Sequence, residues 1–302
     1  MTRILKGKKI AVLLGGPGPE REVSLRSGTA VARALRSLGA LVQEIDVKDS
    51  SLSLPKSIDL AYNMIHGTFG EDGQIQQILE RQGIPYTGEG VAGSQLAFDK
   101  ILSKRAFDEH GVPTGRWHVI AAGQKPRFEV PFVVKSPRQG SSVGVHIIKD
   151  FADLDAALED CFRFGETVIV EEFFSGRELT VGILGDVALP IIEIVPREGF
   201  YDYQHKYTKG ASEYFVPAPI GDEATQAVRY AALAAKRALG LEIYSRVDVI
   251  LASDGRLNVL EINTIPGMTE TSLLPKAAAA AGLDFPTLCE RIASLSMQRT
   301  HH

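Results

Sequence analysis

Apolar positions follow two spacings over the first third of the chain, one typical of buried strands and one typical of helices. Continuous apolar runs predict strands, and apolar residues three or four positions apart predict helices. This pattern predicts strands over residues 9–14, 41–47 and 58–63 and helices over 24–38 and 71–81. Alternating strands and helices indicate a parallel sheet with helices on its faces, and we assign this unit to residues 1–92.

Strand-like segments become more frequent after residue 92. A central unit over 93–175 is predicted to hold helices over 95–110 and 151–164 and strands over 130–135, 145–148 and 167–174. A third unit over 176–302 is predicted to hold strands over 178–184, 187–195, 244–252 and 257–263, a helix over 222–239 and terminal helices. The predicted fold class is therefore α/β, with three units.

The last two predicted strands form a hairpin with acidic side chains on one face. Asp254 and Gly255 lie between the strands and favour a two-residue type I′ turn. Side chains alternate faces along a strand, so the turn also decides which residues share a face. The predicted pairs are Ser253 with Arg256, Ile250 with Val259, Asp248 with Glu261 and Arg246 with Asn263. The opposite, core-facing side is predicted to carry Val247, Val249, Leu251, Leu260 and Ile262.

Directly opposed Asp248 and Glu261 repel each other, so a positive group is expected between them. With the amide oxygen of Asn263 they form a set of hard ligands that suits Mg²⁺ bound to substrate phosphates. The alternative is a solvated face on which Arg246 neutralises both acids. The hairpin alone leaves both interpretations open.

Composition excludes several classes of protein. A net charge of -4 without a basic stripe argues against a nucleic-acid partner. No stretch reaches the roughly 18 apolar residues of a membrane span, and the N-terminus lacks the pattern of a signal peptide. The two cysteines, Cys161 and Cys289, have no CxxC spacing, which fits a reducing compartment. We therefore expect a cytoplasmic protein.

Several loops between the predicted elements carry candidate chemistry. The loop that ends at Glu20 does not match GxGxxG, which argues against a nicotinamide oxidoreductase. Glu20 itself either complements a helix dipole or binds a substrate ammonium. Lys135 precedes a loop rich in glycine and serine. This loop either binds phosphate, which its composition suits, or is simply a long hairpin loop. The aromatic stretch 200–207 is either an active-site lid or a packing cluster.

Taken in order, eight segments resemble the D-alanine-D-alanine ligase family of the ATP-grasp superfamily. They read GGPGPEREVSLRSG, HGTFGEDGQIQQILERQGIPYTGEG, FDK, VVKSPRQGSSVGV, EEFFSGRELTVGILG, FYDYQHKYTKG, YSRVDV and LEINTIPGMTETSLLPKAA. The resemblance implies a three-domain ATP-grasp architecture with an N-terminal parallel-sheet domain and with ATP between the second and third domains. Two positions depart from the family pattern, because Gly18 replaces a serine and Ser136 precedes Pro137 after the phosphate lysine.

The resemblance also implies a role for individual residues at the ATP site. Phosphate contacts fall on Lys100, Lys135 and Lys206, and the loop over the phosphates contains Ser141 and Ser142. Glu171 and Glu178 would serve adenine and ribose, with Phe174 near the base. Asp248, Glu261 and Asn263 would hold two Mg²⁺ ions, or Mn²⁺ in their place.

The implied substrate site involves both D-alanines. Glu20 would bind the ammonium of the first D-alanine, beside His66, and Arg246 would stabilise charge at its carboxyl. Ser141 and Tyr207 would link to Glu20 and place the second D-alanine, whose carboxylate would meet Gly267 and Ser272.

The implied function is ATP-dependent ligation of two D-alanines through a D-alanyl phosphate, for peptidoglycan precursors, in a homodimer. The alternatives are a ligase that makes D-alanyl-D-lactate or D-alanyl-D-serine, and a non-catalytic nucleotide sensor with the same fold. Lys206 and Tyr207 favour the dipeptide product, because depsipeptide ligases of the family depart at these positions.

Overall fold

The computed structural model describes residues 4–140, 143–196 and 212–299. Three sheets follow one another along this part of the chain. The strands are β1 Lys9–Gly15, β2 Leu41–Val47, β3 Leu60–Asn63, β4 Trp117–Ala121, β5 Phe132–Lys135, β6 Val145–Ile148, β7 Thr167–Glu172, β8 Gly176–Leu184, β9 Val187–Ala188, β10 Ile192–Pro196, β11 Ser212–Phe215, β12 Tyr244–Ala252 and β13 Leu257–Asn263. The helices are α1 Arg21–Ser37, α2 Gln74–Gln82, α3 Val91–Phe98, α4 Lys100–Glu109, α5 Leu154–Phe162, α6 Asp222–Ala238, α7 Leu273–Ala280 and α8 Phe285–Gln298, with a short 3-10 helix at Phe151–Asp153.

The first sheet is parallel, as predicted, with β1 between β2 and β3. The middle strand is buried over Ile10–Gly15, because α1 packs on the sheet through an apolar stripe that includes Val31 and Leu35. Leu288 and Ile292 of the C-terminal helix α8 join the same core. The end of the chain therefore covers the sheet formed by its beginning.

The predicted helix over 95–110 is in fact two helices, α3 and α4, separated at Asp99. The backbone of Asp99 is extended, with φ of -87° and ψ of 106°. Its carboxylate caps α4 by accepting hydrogen bonds from the amides of Ile101 at 2.9 Å and Leu102 at 3.3 Å. This cap explains the break and makes Lys100 the first residue of α4.

The second sheet is antiparallel, in the order β4-β7-β5-β6. The third is also antiparallel, in the order β11-β10-β8-β12-β13, with β9 paired to β8.

Two predicted strands were too long. The strand predicted to end at 174 ends at Glu172, and the strand predicted over 187–195 is divided into β9 and β10. The domain boundaries at 92/93 and 175/176 stay predictions.

The acidic hairpin has the predicted register at the end that carries Arg246 and Asp248 and a different one near the turn. Arg246 lies opposite Asn263, and Asp248 lies opposite Glu261. The predicted pairing of Ile250 with Val259 is wrong. The structure pairs Val249 with Val259, Ile250 with Asn258 and Leu251 with Leu257.

Two irregularities of one residue each explain this difference. The turn contains three residues, since the amide of Ala252 donates to the carbonyl of Arg256 at 2.9 Å. Within it the left-handed residue is Gly255 (φ +85°), as in a three-residue hairpin loop and not a type I′ turn. A register shift after Asp248 then makes Leu260 the extra residue of β13 and restores the pairing at Glu261. Leu260 consequently faces a cleft and not the predicted core.

Candidate functional site

Two adjoining clefts lie between the sheets and share Lys100, Gln139 and Glu261. We call them the apolar cleft and the polar cleft. The apolar cleft is lined by residues that include Val133, Lys135, Ile147, Glu171, Phe174, Glu178, Asp248 and Leu260. The polar cleft is lined by residues that include Glu20, His66, Glu71, Arg246, Asn263, Gly267 and Ser272. Every predicted site residue that the structure describes lines one of these two clefts.

The apolar cleft has walls from two different sheets. Val133 and Ile147 come from the second sheet, and Ile250 and Leu260 come from the hairpin. Apolar walls with a few polar groups at the edges suit a flat ring such as a nucleobase. Phe174 lies at one edge, where the guanidinium of Arg256 stacks 4.9 Å from its ring centre.

Three charged side chains form a buried cluster at the wall of the apolar cleft. Glu171 Oε1 lies 2.7 Å from Lys135 Nζ, and its Oε2 lies 2.9 Å from Lys104 Nζ. Burial would raise the pKa of Glu171, yet the two ammonium groups lower it to about 2. Burial lowers the pKa of Lys135, because the cost of desolvating its ammonium exceeds the attraction to Glu171. With two cations within 3 Å, the carboxylate stays ionised at neutral pH.

This cluster changes the interpretation of Glu171. Both of its carboxylate oxygens face lysine ammonium groups, and 3% of the residue is exposed. Its side chain is therefore held as a counter-ion of Lys135. A contact between Glu171 and adenine or ribose, as the resemblance implied, would have to come from its backbone, whereas Glu178 lines the cleft.

The opposed acids Asp248 and Glu261 each have a cationic neighbour. Arg246 holds Asp248 by two hydrogen bonds, from Nε to Oδ1 at 3.0 Å and from Nη2 to Oδ2 at 2.8 Å. Lys100 Nζ lies 3.2 Å from Glu261 Oε2 and donates to the carbonyl of Gln139 at 2.6 Å. Arg246 thus pairs with Asp248 and also lines the polar cleft.

The acids also fit a divalent cation shared with a substrate. Among the residues described, no group of three or more His, Cys, Asp or Glu could enclose a metal ion. Mg²⁺ commonly uses one or two carboxylates and completes its shell with phosphate and water. Asp248 and Glu261 supply those carboxylates, and Asn263 adds an amide oxygen that accepts from the amide of Ile265 at 3.0 Å. Thr180 orients Asp248 by donating to its Oδ1 at 2.6 Å.

At the polar cleft, Glu20 lies at the N-terminus of α1 against two glycines. A Cβ atom on Gly67 would lie 2.7 Å from Glu20 Oε2, and one on Gly140 would lie 3.1 Å away. Gly67 also has a φ of +70°. These glycines leave room for the carboxylate and bring loops from two sheets to it. Glycine is the residue that permits such a close approach.

His66 joins the two loops that border the polar cleft. Its Nδ1 donates to the carbonyl of Ile265 at 2.8 Å, so its Nε2 accepts from the hydroxyl of Ser27 at 3.3 Å. Ser27 also accepts a hydrogen bond from the amide of Met268. Beside His66, burial raises the pKa of Glu71 and so does the negative charge of Glu20, while His66, whose Nδ1 lies 3.6 Å from Glu71 Oε1, lowers it.

The far side of the polar cleft is the N-terminus of α7, with Ser272 at the cap position. The Ser272 hydroxyl accepts from the amide of Thr269 at 3.0 Å. A Cβ atom on Gly267 would lie 2.9 Å from this hydroxyl. Free amides at a helix N-terminus attract anions, which agrees with a carboxylate at this end.

Four predicted residues, Ser141, Ser142, Lys206 and Tyr207, lie outside the described residues, as does the whole aromatic stretch 200–207. Ser136, one of the two departures, has a structural explanation. Its amide donates to the carbonyl of Gly144 at 2.9 Å and its hydroxyl to the carbonyl of Cys161 at 3.0 Å. A proline there would lack the first of these bonds. For Gly18 the structure gives no such account.

Sequence reasoning missed Lys104, Glu71, Thr180 and Gln139, which contact predicted site residues. For Lys104 the signal was present, because it lies four positions after Lys100 on the same helical face. Thr180 and Gln139 carry no comparable signal, since a threonine in a strand and a glutamine in a loop are common on any surface.

Two family models match the chain, the D-ala D-ala ligase N-terminus over residues 41–89 and the D-ala D-ala ligase C-terminus over 107–294. The chain is 50% identical over 292 residues to the D-alanine-D-alanine ligase of Methylacidiphilum infernorum (isolate V4), covering 97% of this chain and 96% of the relative.

Solved structures of ligases are similar as well. The Bacillus anthracis D-alanine-D-alanine ligase complexed with ATP superposes with a TM-score of 0.85 at 33% identity, covering 97% of this chain and 98% of that one. The VanG D-Ala:D-Ser ligase of Enterococcus faecalis also has a TM-score of 0.85, at 28% identity, covering 96% and 100%. These likenesses confirm the predicted ATP-grasp fold class. The chain belongs to the D-alanine-D-alanine ligase family.

Proposed function

We propose that this protein uses ATP to ligate two D-alanine molecules to D-alanyl-D-alanine, a peptidoglycan precursor, with release of ADP and phosphate. The observation that carries the proposal is the junction of the two clefts. There Lys100 and Glu261 lie 3.2 Å apart, beside the opposed carboxylate of Asp248. A nucleotide in the apolar cleft would place its phosphates at this junction, next to an amino acid in the polar cleft.

We assign the nucleotide to the apolar cleft. Val133, Ile147 and Leu260 would contact the base, with Phe174 at its edge, and Glu178 would accept hydrogen bonds from the ribose hydroxyls. Lys135 and Lys100 would contact the phosphates, together with Lys206 and the loop that contains Ser142. Cations placed before the reaction offset the charge of the transferring phosphoryl group.

We assign the two D-alanines to the polar cleft. Glu20 would bind the ammonium of the first D-alanine, and His66 would hold the adjoining loop in place. Ser272, Gly267 and the free amides of α7 would receive the carboxylate of the second. Ser141 and Tyr207 would complete this side from outside the described residues.

The proposed reaction has two steps. A carboxylate oxygen of the first D-alanine attacks the γ-phosphorus, the bond to the ADP oxygen breaks, and D-alanyl phosphate forms. The amine of the second D-alanine then attacks the acyl carbon, phosphate leaves, and the amine loses a proton as the amide forms. Arg246 faces the polar cleft and would stabilise the negative oxygen of the tetrahedral intermediate.

A divalent cation is part of the proposal. Asp248, Glu261 and Asn263 would hold two Mg²⁺ ions, or Mn²⁺, which would neutralise phosphate charge when bound. To bind a cation, Asp248 would have to lose at least one of its hydrogen bonds from Arg246. Likewise, Lys100 would exchange its contact with Glu261 for a contact with a phosphate. Both cationic side chains would then contact the substrates.

A coupled assay of ADP release on addition of D-alanine, with the product identified by mass, tests the proposal. We expect ADP release that depends on D-alanine and a product with the mass of D-alanyl-D-alanine. Tight ATP binding without such release would instead support a nucleotide sensor. A product formed only with D-lactate or D-serine as second substrate would support the alternative ligases, although the 50% identical relative favours the dipeptide.

The proposal also covers location and assembly. None of the helices in the described part of the chain is long and apolar enough to cross a membrane. A cytoplasmic location is supported by the dependence of the reaction on ATP and by the two cysteines, which are unpaired and buried. The homodimer rests on the family resemblance. Light scattering of the purified protein tests the homodimer. We expect the mass of two chains, and the mass of one chain would contradict the proposal.

A further inference from the structure

Lys104 is a buried lysine for which the proposed reaction has no use. None of its surface is exposed, and its ammonium donates to the hydroxyl of Thr114 at 2.7 Å and lies 2.9 Å from Glu171. Glu171 and Lys135 line the apolar cleft, whereas Lys104 lies on the other side of Glu171. A buried charge is costly unless a function or a partner accounts for it.

The charges of the cluster indicate what Lys104 does. Without Lys104, the buried pair of Lys135 and Glu171 would have no net charge, and Glu171 would repel a polyphosphate in the adjoining cleft. With Lys104 present, the carboxylate is neutralised from behind, so the cluster keeps a net charge of about +1 on the side that faces the cleft. Glu171 also stays ionised and can hold Lys135 in position.

We propose that Lys104 is a positioning residue for the nucleotide, acting through Glu171 to leave the charge of Lys135 available to the phosphates. This inference rests on the proposed function, since it takes the apolar cleft to be the ATP site. Thr114 fixes the ammonium of Lys104 from the other side, because its hydroxyl donates to the carbonyl of Val259 in β13 at 3.2 Å.

The test is calorimetric binding of ATP, without D-alanine, to the full chain and to Lys104→Met. Methionine keeps the length of the side chain and removes its charge. We expect ATP to bind about tenfold or more weakly to the variant. In the ligation assay the KM for ATP should rise while the KM for D-alanine stays within about twofold, a division that a general loss of stability would not produce.

Lys236→Met is the matched control. Lys236 is also a buried lysine in an ion pair, at 2.8 Å from Asp186, and it lies on α6 away from both clefts. Because Asp186 is exposed, this variant removes a buried ammonium without leaving a buried carboxylate, and we expect its ATP affinity to equal that of the wild type. Equal ATP affinity of the wild type and Lys104→Met would overturn the inference, as would equal losses in both methionine variants.

A double variant separates charge balance from a structural role and applies even if Lys104→Met folds poorly. Lys104→Met with Glu171→Gln again leaves Lys135 as the single charge of the cluster, with no unpaired buried carboxylate. We expect it to bind ATP more tightly than Lys104→Met alone. An ATP affinity no higher than that of Lys104→Met alone would overturn the charge-balance account. If the wild type binds ATP but does not release ADP with D-alanine, the proposed function fails and the inference about ATP binding stands.

Discussion

Replacing Glu89 by alanine should destabilise the strand that carries Arg246 and Asp248. Glu89 is 3% exposed and accepts three backbone hydrogen bonds at the start of β12. Its Oε1 accepts from the amides of Ile243 at 2.8 Å and Tyr244 at 3.1 Å, and its Oε2 accepts from the amide of Glu242 at 2.7 Å. One side chain therefore joins the end of the first predicted unit to a strand of the third.

The size of the effect follows from the donors that alanine would leave without an acceptor. The amides of Ile243 and Tyr244 are buried, and each unsatisfied buried donor costs about 1–3 kcal/mol. Burial raises the pKa of Glu89, so its ionised form has a desolvation cost that alanine would remove. We therefore expect Glu89→Ala to lower the free energy of unfolding by about 2–4 kcal/mol.

Urea unfolding at neutral pH, followed by circular dichroism, measures this loss, and Glu89→Gln is the matched variant. The glutamine oxygen can still accept from Ile243 and Tyr244, but its NH₂ group faces the amide of Glu242, so about 1–2 kcal/mol should be lost. The reasoning is refuted if alanine and glutamine lose the same amount, or if alanine loses less than about 0.5 kcal/mol. Water would then be satisfying these amides.

Three further predictions concern the two clefts. Gly67→Ala should raise the KM for D-alanine about tenfold, because the new methyl group would displace the Glu20 carboxylate. Gly83→Ala is the control: Gly83 has a similar φ of +67° but open space around it, so this variant should affect stability alone. Equal KM values in the two variants would contradict this prediction. The pKa of Glu171 is lowered to about 2 from 4.5, so its stabilisation of about 3 kcal/mol is present above pH 4.5 and is lost as the pH falls toward 2. The unfolding free energies of the wild type and Glu171→Gln should accordingly converge between pH 4.5 and 2; a constant difference would show that Glu171 does not titrate in this way. Glu261→Ala should lose the ADP release that depends on D-alanine. It should also lose Mn²⁺ binding, which electron paramagnetic resonance can follow. An unchanged rate of ADP release would exclude Glu261 as a metal ligand.

The sequence predicted which residues share a face of the hairpin, because local pattern carries that information. Alternation along β12 and β13 placed Arg246, Asp248, Glu261 and Asn263 on one face, and the structure agrees. This prediction of the shared face was correct although the predicted turn type and the predicted pairing near the turn were wrong. The three-residue loop and the bulge at Leu260 shift the register in opposite directions and cancel. Neither irregularity changes the pattern of residue types from which the face was inferred.

Residues that act through another side chain were harder to predict. Thr180 contacts Asp248 through a spacing that no local pattern reveals. Lys104 shares a helical face with Lys100, but nothing local indicates its contact with Glu171. The break at Asp99 was missed because 95–110 has helical spacing throughout, and aspartate within such a stretch is not unusual. Only the position of the cap shows that Asp99 ends one helix and begins the next.

The sequence by itself determined the order of strands and helices, the acidic face of the hairpin and, through eight segments in family order, the family. These features depend on neighbouring residues, whose spacing is written in the chain. The tertiary structure decided which charges meet. It placed Arg246 on Asp248, Lys100 on Glu261, and Lys104 behind Glu171. Such pairs join residues as far apart as 161 positions in the chain, as Lys100 and Glu261 are, and their energies depend on burial, which only the packed sheets and helices create.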